Sequence, residues 1–91
     1  MQDMAEEIRV LGDPARLQIL STLSRADETE RSVCALARRL GISQPNVSHH
    51  LRVLKNAGFI SCQKDQRYCY YAVNPETIRR VLEQVAQAIL P

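Results

Sequence analysis

The sequence predicts a mainly α-helical domain of about five helices with a small two-stranded β-hairpin. Three observations carry that expectation. Apolar residues recur at helical spacing along most of the chain, and each stretch is bounded by Gly, Pro, Ser, Asp or Asn residues that start or stop helices. Residues 37–59, ARRLGISQPNVSHHLRVLKNAGF, read as the end of a helix, a Gly-containing turn and a second, capped helix. After Gly58 the period changes to that of strands, and the segment 67–73, RYCYYAV, is rich in aromatic residues that favour sheets.

Taken in order, Ala5, Ile8 and Leu11, with Met4, form an apolar stripe over about residues 3–11. Gly12-Asp13-Pro14 breaks it. Asp13 is placed as N-cap of the next helix and Pro14 at its first position, where the missing N–H costs nothing. That helix runs over about 14–24, with Leu17 and Leu20 packing beside Leu11 and with Ile19 and Leu23 widening the face. Residues 24–30 are polar apart from Ala26 and read as a loop. Arg31 or Ser32 begins a third helix with Val33, Leu36, Ala37 and Leu40 inward, and Gly41 can take the positive φ that ends it.

Ser43 is then the N-cap of a fourth helix that reaches Ala57 and is closed by Gly58, with Pro45 tolerable in its first turn. Val47, Leu51 and Leu54 recur at i, i+4 and i+7 and make one buried face. The other side carries Pro45, Ser48, His49 and Arg52, flanked at the helix start by Gln44 and Asn46. Small hydrogen-bonding groups at the exposed N-terminus of a half-buried helix suit the DNA major groove.

Strands over 59–64 and 67–73 joined by a tight Asp65-Gln66 loop would pair residue 64 with 67, 63 with 68 and 62 with 69. Lys64 and Arg67 then flank a basic tip within reach of phosphates. Asn74-Pro75 opens the last helix, with Asn74 as N-cap and an apolar stripe of Ile78, Val81, Leu82, Val85, Ile89 and Leu90. That stripe either packs on the chain's own core or joins the first helix in a dimer interface formed by 2–12 and 75–90. A helix-turn-helix followed by such a hairpin is a winged helix-turn-helix, here a single domain over 1–91.

Bulk properties narrow the function. A chain of 91 residues buries only about 60–65% of its unfolded surface, a marginal core that dimerisation would supplement. It has no apolar run of transmembrane length and no secretory pattern, so the cytoplasm is the expected location. Net charge is +2, but residues 1–30 balance to −4 whereas residues 31–73 carry seven Lys/Arg against Asp65 alone, a balance of +6. The basic block coincides with the groove-entering element, which implies double-stranded DNA as partner. Nothing resembles a phosphate-binding Gly-rich loop or a carboxylate pair, and the adjacent His49 and His50 point about 100° apart on a helix, so an enzyme is not expected.

Residue types suggest roles. Gln44 and Asn46 can donate and accept at once, as paired contact to adenine requires, although Asn46 can equally serve the cap. Ser48 and His49 reach base edges or phosphates, and Arg52 the backbone or a guanine. Lys64 and Arg67 suit phosphate or the minor groove. His50 turns toward the apolar side, while Arg38, Arg39 and Lys55 are either solvated or touch the backbone.

Three segments together resemble the ArsR/SmtB family of small bacterial winged-helix repressors: LGDPARLQIL at 11–20, LARRLGISQPNVSHHLRVLKNAGFI at 36–60, and RYCYYAV at 67–73. The resemblance implies a homodimer with first and last helices at the interface, bound to an imperfect inverted repeat and released by an inducer. One family metal site uses a Cys-x-Cys pair in an ELCVC-like segment. Here Glu30-Arg31-Ser32-Val33-Cys34 stands in its place, so Ser32 replaces the first thiol and Cys34 is alone. The other family site needs Asp, His and Glu in the last helix, which has neither His nor Asp.

No resident cofactor is therefore expected. A soft metal or metalloid ion remains a candidate ligand for the cysteines. The expected register sets Cys62 opposite Cys69, either as small strand residues without chemistry or as a pair that senses thiol-reactive species. Constitutive DNA binding, a response to a non-metal signal, and a winged helix that docks a protein partner are the alternative readings.

Overall fold

Side-chain caps and positive-φ glycines set the boundaries of the central helices. The computed structural model describes residues 4–25 and 31–91, Tyr68 by its backbone only. The described elements are α1 (Met4–Leu11), α2 (Pro14–Arg25), α3 (Val33–Leu40), α4 (Gln44–Asn56), β1 (Ile60–Asp65), β2 (Tyr68–Val73) and α5 (Pro75–Ile89). The Asp13 carboxylate accepts from the Ala15 amide at 2.8 Å and opens α2. The Ser32 hydroxyl accepts from the Ala35 amide at 3.2 Å and opens α3, which Gly41 closes at φ 70°. The polar stretch expected as a loop over 24–30 is helical at Ser24 and Arg25, and its remainder lies outside the described residues.

The core sits where α2, α3 and α4 meet the base of the hairpin and one turn of α5. Ile19, Leu23, Leu36, Val47, Leu51, Leu54, Phe59 and Val81 are each at most 1% exposed. Burying a side chain of this size stabilises the fold by about 1.5–3 kcal/mol. The inward stripes expected for α3 and α4 are the observed ones: Leu36 and Ala37 in α3, and Val47, Leu51 and Leu54 in α4, are buried.

The apolar stripe of α1 lies largely outside the core. Ala5 and Ile8 are exposed, and the buried residues of α1 are Glu7 and Val10. Leu17 of α2, expected to pack beside Leu20 and Leu11, is 51% exposed. Ile8, Leu11, Leu17, Leu20, Leu82 and Val85 instead help line an open apolar groove of about 510 Å³ between α1, α2 and α5. The side of α1 turned to the protein carries an ion pair instead: Glu7 is 1% exposed and accepts from Arg80 Nη2 of α5 at 2.7 Å. The hydrogen bond to Glu7 raises the Arg80 guanidinium above its usual value, against burial, which lowers it.

The hairpin register differs from the expected one by two residues. Ile60 pairs with Val73, Cys62 with Tyr71, Lys64 with Cys69 and Asp65 with Tyr68, so the turn is Gln66-Arg67 rather than Asp65-Gln66. Gln66 takes φ 58°, the positive value that favoured two-residue hairpin turns demand. A slip of two leaves every side chain on its original face, so apolar alternation cannot choose between the registers. The base of the hairpin chooses: the Asn74 amide donates to the Phe59 carbonyl at 2.8 Å, and the Tyr71 amide to the Arg31 carbonyl at 3.1 Å.

Asn74 holds the N-cap position of α5 without capping through its side chain. Its Nδ2 donates instead to the Gly58 carbonyl at 3.0 Å, tying the start of α5 to the end of α4. No helix among the described residues is long and apolar enough to cross a membrane.

Candidate nucleic-acid interface

α3 and α4 form the helix-turn-helix. The turn between them is Gly41-Ile42-Ser43, with Ile42 half-buried against the core. Ser43 Oγ accepts from the Asn46 backbone amide at 3.3 Å. The cap is thus served by the main chain of Asn46, and its side-chain amide stays exposed. Gln44, Pro45, His49 and Arg52 are exposed as well, and Ser48 is half-buried. At 100° per residue, Pro45, Ser48, His49 and Arg52 share one face, opposite Val47, Leu51 and Leu54. One side of α4 is therefore locked in the core while the other presents donors and acceptors along its first two turns.

α2 steadies this helix from behind. Arg16 Nε donates to His50 Nδ1 at 3.3 Å, and Arg16 Nη1 reaches the Val10 carbonyl at 3.4 Å. Burial raises the Asp13 carboxyl, but amide hydrogen bonds from Arg16 and Ala15 and the charges of His50 and Arg16 outweigh it, leaving Asp13 below its ordinary value. His50 is half-buried and turned inward, and its ring lies 5.5 Å from that of exposed His49 at a tilt of 56°. The sequence reading missed both this Arg16–His50 link and the Glu7–Arg80 pair. Their only sequence signals were a charged residue at an inward helical position, Glu7, and a histidine beside the apolar stripe, His50.

The helix-turn-helix and the wing also carry exposed basic residues. Arg38 and Arg39 of α3, Arg52 and Lys55 of α4, Lys64 of β1 and Arg67 of the turn are all exposed. The wing tip is less uniformly basic than expected. Because of the register, Asp65 sits beside the turn that carries Arg67, and Lys64 lies one pair further back, opposite Cys69.

The thiols divide into two groups. Cys34 is an exposed free thiol on α3, with Arg38 Nη2 3.6 Å from its sulfur. Ser32, in the place of a first thiol, is committed to capping α3, so the residues present do not fit a trigonal thiolate metal site there. Among the described residues, no group of three or more His, Cys, Asp or Glu is placed to hold a metal ion. Cys62 and Cys69 are disulfide-bonded across the hairpin, with Cα atoms 5.9 Å apart. The expectation that they face each other directly is corrected by the register: they are diagonal neighbours on one face.

Comparison with known proteins agrees with this geometry. The profile of the bacterial regulatory protein family named arsR matches residues 13–61, from the cap of α2 through the helix-turn-helix to the start of the hairpin. An uncharacterised helix-turn-helix-type transcriptional regulator of Methanocaldococcus jannaschii is 33% identical over 81 residues, 89% of each chain. A Synechocystis homologue of the transcriptional repressor SmtB is 34% identical over 85 residues, 93% of this chain but 62% of that one, so this chain spans less than two-thirds of it. Among solved structures, the homodimeric winged helix-turn-helix DNA-binding domain of a possible ArsR-family regulator from Mycobacterium bovis superposes with a TM-score of 0.73. That match has 27% identity over 96% of this chain and 81% of the other. The chain belongs to the arsR family of bacterial regulatory proteins, which are transcriptional regulators rather than enzymes.

Proposed function

We propose that this protein acts in the cytoplasm as a homodimeric repressor that binds an imperfect inverted repeat in double-stranded DNA. The observation that carries the reading is α4, whose polar N-terminal face is exposed while its apolar face is clamped by the core. α4 enters the major groove. Gln44, Pro45, Asn46 and Ser48 meet base edges, His49 reaches bases or phosphate, and Arg52 a guanine or the backbone. Lys64 and Arg67 of the wing neutralise phosphates and set register on the duplex.

The groove between α1, α2 and α5 supports a second copy as its cover. Ile8 is 42% exposed, Leu82 56%, Ile89 73% and Leu90 65%, more apolar surface on adjacent helices than a solvated face of so small a domain ordinarily carries. Residues 2–12 and 75–90 would supply that interface. The homodimeric Mycobacterium bovis relative supports the same assembly, and the repressor named among the relatives supports the direction of control.

The test is selection of duplexes from a random pool by the purified protein, followed by binding at several salt concentrations. An inverted repeat should emerge. Gln44→Ala or Asn46→Ala should lose about 1–3 kcal/mol of discrimination at one position of each half-site. Lys64→Ala should weaken all sequences alike and flatten the salt dependence by about one unit per subunit. Enrichment of no sequence by the selection would refute the reading.

A further inference from the structure

We propose that Cys62 and Cys69 are a reversible dithiol–disulfide pair whose bonded form holds the wing in its DNA-contacting shape, so that reduction weakens DNA binding. The inference rests on the DNA-binding reading above and adds the signal that modulates it.

The bond encloses the tip of the wing. A sequence separation of seven places Lys64, Asp65, Gln66 and Arg67 inside the closed loop. The Cα separation of 5.9 Å lies within the usual range for a disulfide, so the two strands are spaced for the bond. The link runs diagonally, joining the residue opposite Tyr71 to the residue opposite Lys64, and so spans the intervening Gln63–Tyr70 rung of the ladder. Among the described residues of the wing, Ile60 at the base is buried and Tyr70 and Tyr71 are half-buried, but Ser61, Gln63, Lys64, Asp65, Gln66 and Arg67 are all exposed. A two-stranded ribbon is marginal in water, and the tip lies beyond the packed residues Tyr71 and Val73 at its base, so the cross-link adds to the order of the tip.

Both cysteines are half-buried, on the face that carries Ile60 and Val73 nearer the base. They are open to small reagents, unlike a cystine sealed in a core. The chemistry is exchange with a low-molecular-weight disulfide. The thiolate of one cysteine attacks the small disulfide, forming a mixed disulfide and expelling one small thiolate. The second cysteine, as thiolate, attacks the protein sulfur of that mixed disulfide; the Cys62–Cys69 bond forms and the second small thiolate leaves. The two protons released by the cysteines pass to the leaving thiolates, and the two electrons given up by the cysteine sulfurs reduce one small disulfide to two thiols. Excess small thiol reverses each step. Reduction frees the tip, and the cost of ordering Lys64 and Arg67 on phosphate then falls on the binding step.

The experiment equilibrates the full-length protein in glutathione buffers of different poise. Free thiols are counted, and binding is measured to the duplex enriched by selection. Cys34 is an internal reference, since it is a free thiol in the bonded form. The oxidised chain should titrate one thiol and the reduced chain three. Reduced protein should bind about five- to ten-fold more weakly at fixed salt, with a shallower salt dependence, because each of the two wings loses preorganised phosphate contacts. Cys62→Ser and Cys69→Ser should bind like reduced protein at every poise, and Cys34→Ser should keep the wild-type response.

Equal binding in both states, tighter binding by the reduced form, or a redox response that survives Cys62→Ser would overturn the inference while leaving DNA recognition intact. So would three titratable thiols under oxidising conditions. Binding in neither state overturns DNA recognition and the inference with it, and the thiol count still reports separately whether the bond forms.

Discussion

α4 and α5 are amphipathic helices of similar length, 13 and 15 residues, in opposite situations. In α4 the whole apolar stripe is covered within the chain: Val47, Leu51 and Leu54 are 0%, 1% and 0% exposed. In α5 only Val81 is fully covered, Ile78 and Val85 are partly so, and Leu82, Ile89 and Leu90 stand in the open. The two stripes look alike in sequence. The difference teaches that helical periodicity announces a face to be buried, and the arrangement of neighbours decides whether the same chain buries it. The caps differ too, since Ser43 caps α4 through its side chain while Asn74 spends its amide on the Gly58 carbonyl.

The sharpest way to break this contrast is at the two stripes. Leu54→Ala should lower the free energy of unfolding by about 2–5 kcal/mol, read by urea denaturation, because the cavity lies in the buried core. A loss under about 1 kcal/mol would remove α4 from the core. Leu82→Asp should leave helix content unchanged by circular dichroism but give a monomer in sedimentation equilibrium. It should also bind the inverted repeat about 100-fold more weakly, since two linked half-sites become one. A stable dimer from Leu82→Asp would mean that α5 is not the interface.

Smaller effects probe the ends of helices. Ser43→Ala should cost about 1 kcal/mol of stability, and Ser43→Asp should retain most of it. If Ser43→Ala is silent, the cap does not fix the start of α4. The smallest expected effect is at Asp13. Its carboxyl titrates below its ordinary value in the folded chain, so its contribution is fully present above about pH 4 and is lost as pH falls through the folded value. Asp13→Asn keeps a capping oxygen but should flatten the acid limb of the stability curve. An unchanged acid limb would show that the charge adds nothing to the cap.

These contrasts also sort what was legible beforehand. The helix-turn-helix was legible almost to the residue, because its signals are local. Ser43 supplies the cap, Gly41 and Gly58 take φ 70° and 85°, and Val47, Leu51 and Leu54 keep the helical period. The exposed placement of Gln44, Asn46, His49 and Arg52 follows from the same period. The wing was legible as a hairpin but not in its register, since slips of two preserve the facing of every side chain. The outcome was set by Asn74 pairing with Phe59, a contact across the hairpin base. The burial of Glu7 in α1 was not legible, because no local apolar pattern marks a single glutamate as inward. The buried Glu7 finds its partner 73 positions away, in Arg80.

By itself, then, the sequence determined where helices start and stop, the amphipathic faces of α3 and α4, and the presence of a basic hairpin after a helix-turn-helix. These are consequences of backbone chemistry within a few residues: caps, positive-φ glycines, and periods of 3.6 and 2. Only the tertiary structure decided which stripe is core and which is open groove, which residues form the turn of the wing, and that Cys62 and Cys69 meet diagonally. Those outcomes depend on pairs far apart in the chain, Glu7 with Arg80, Arg16 with His50, Asn74 with Phe59, whose energies arise only after the elements have come together.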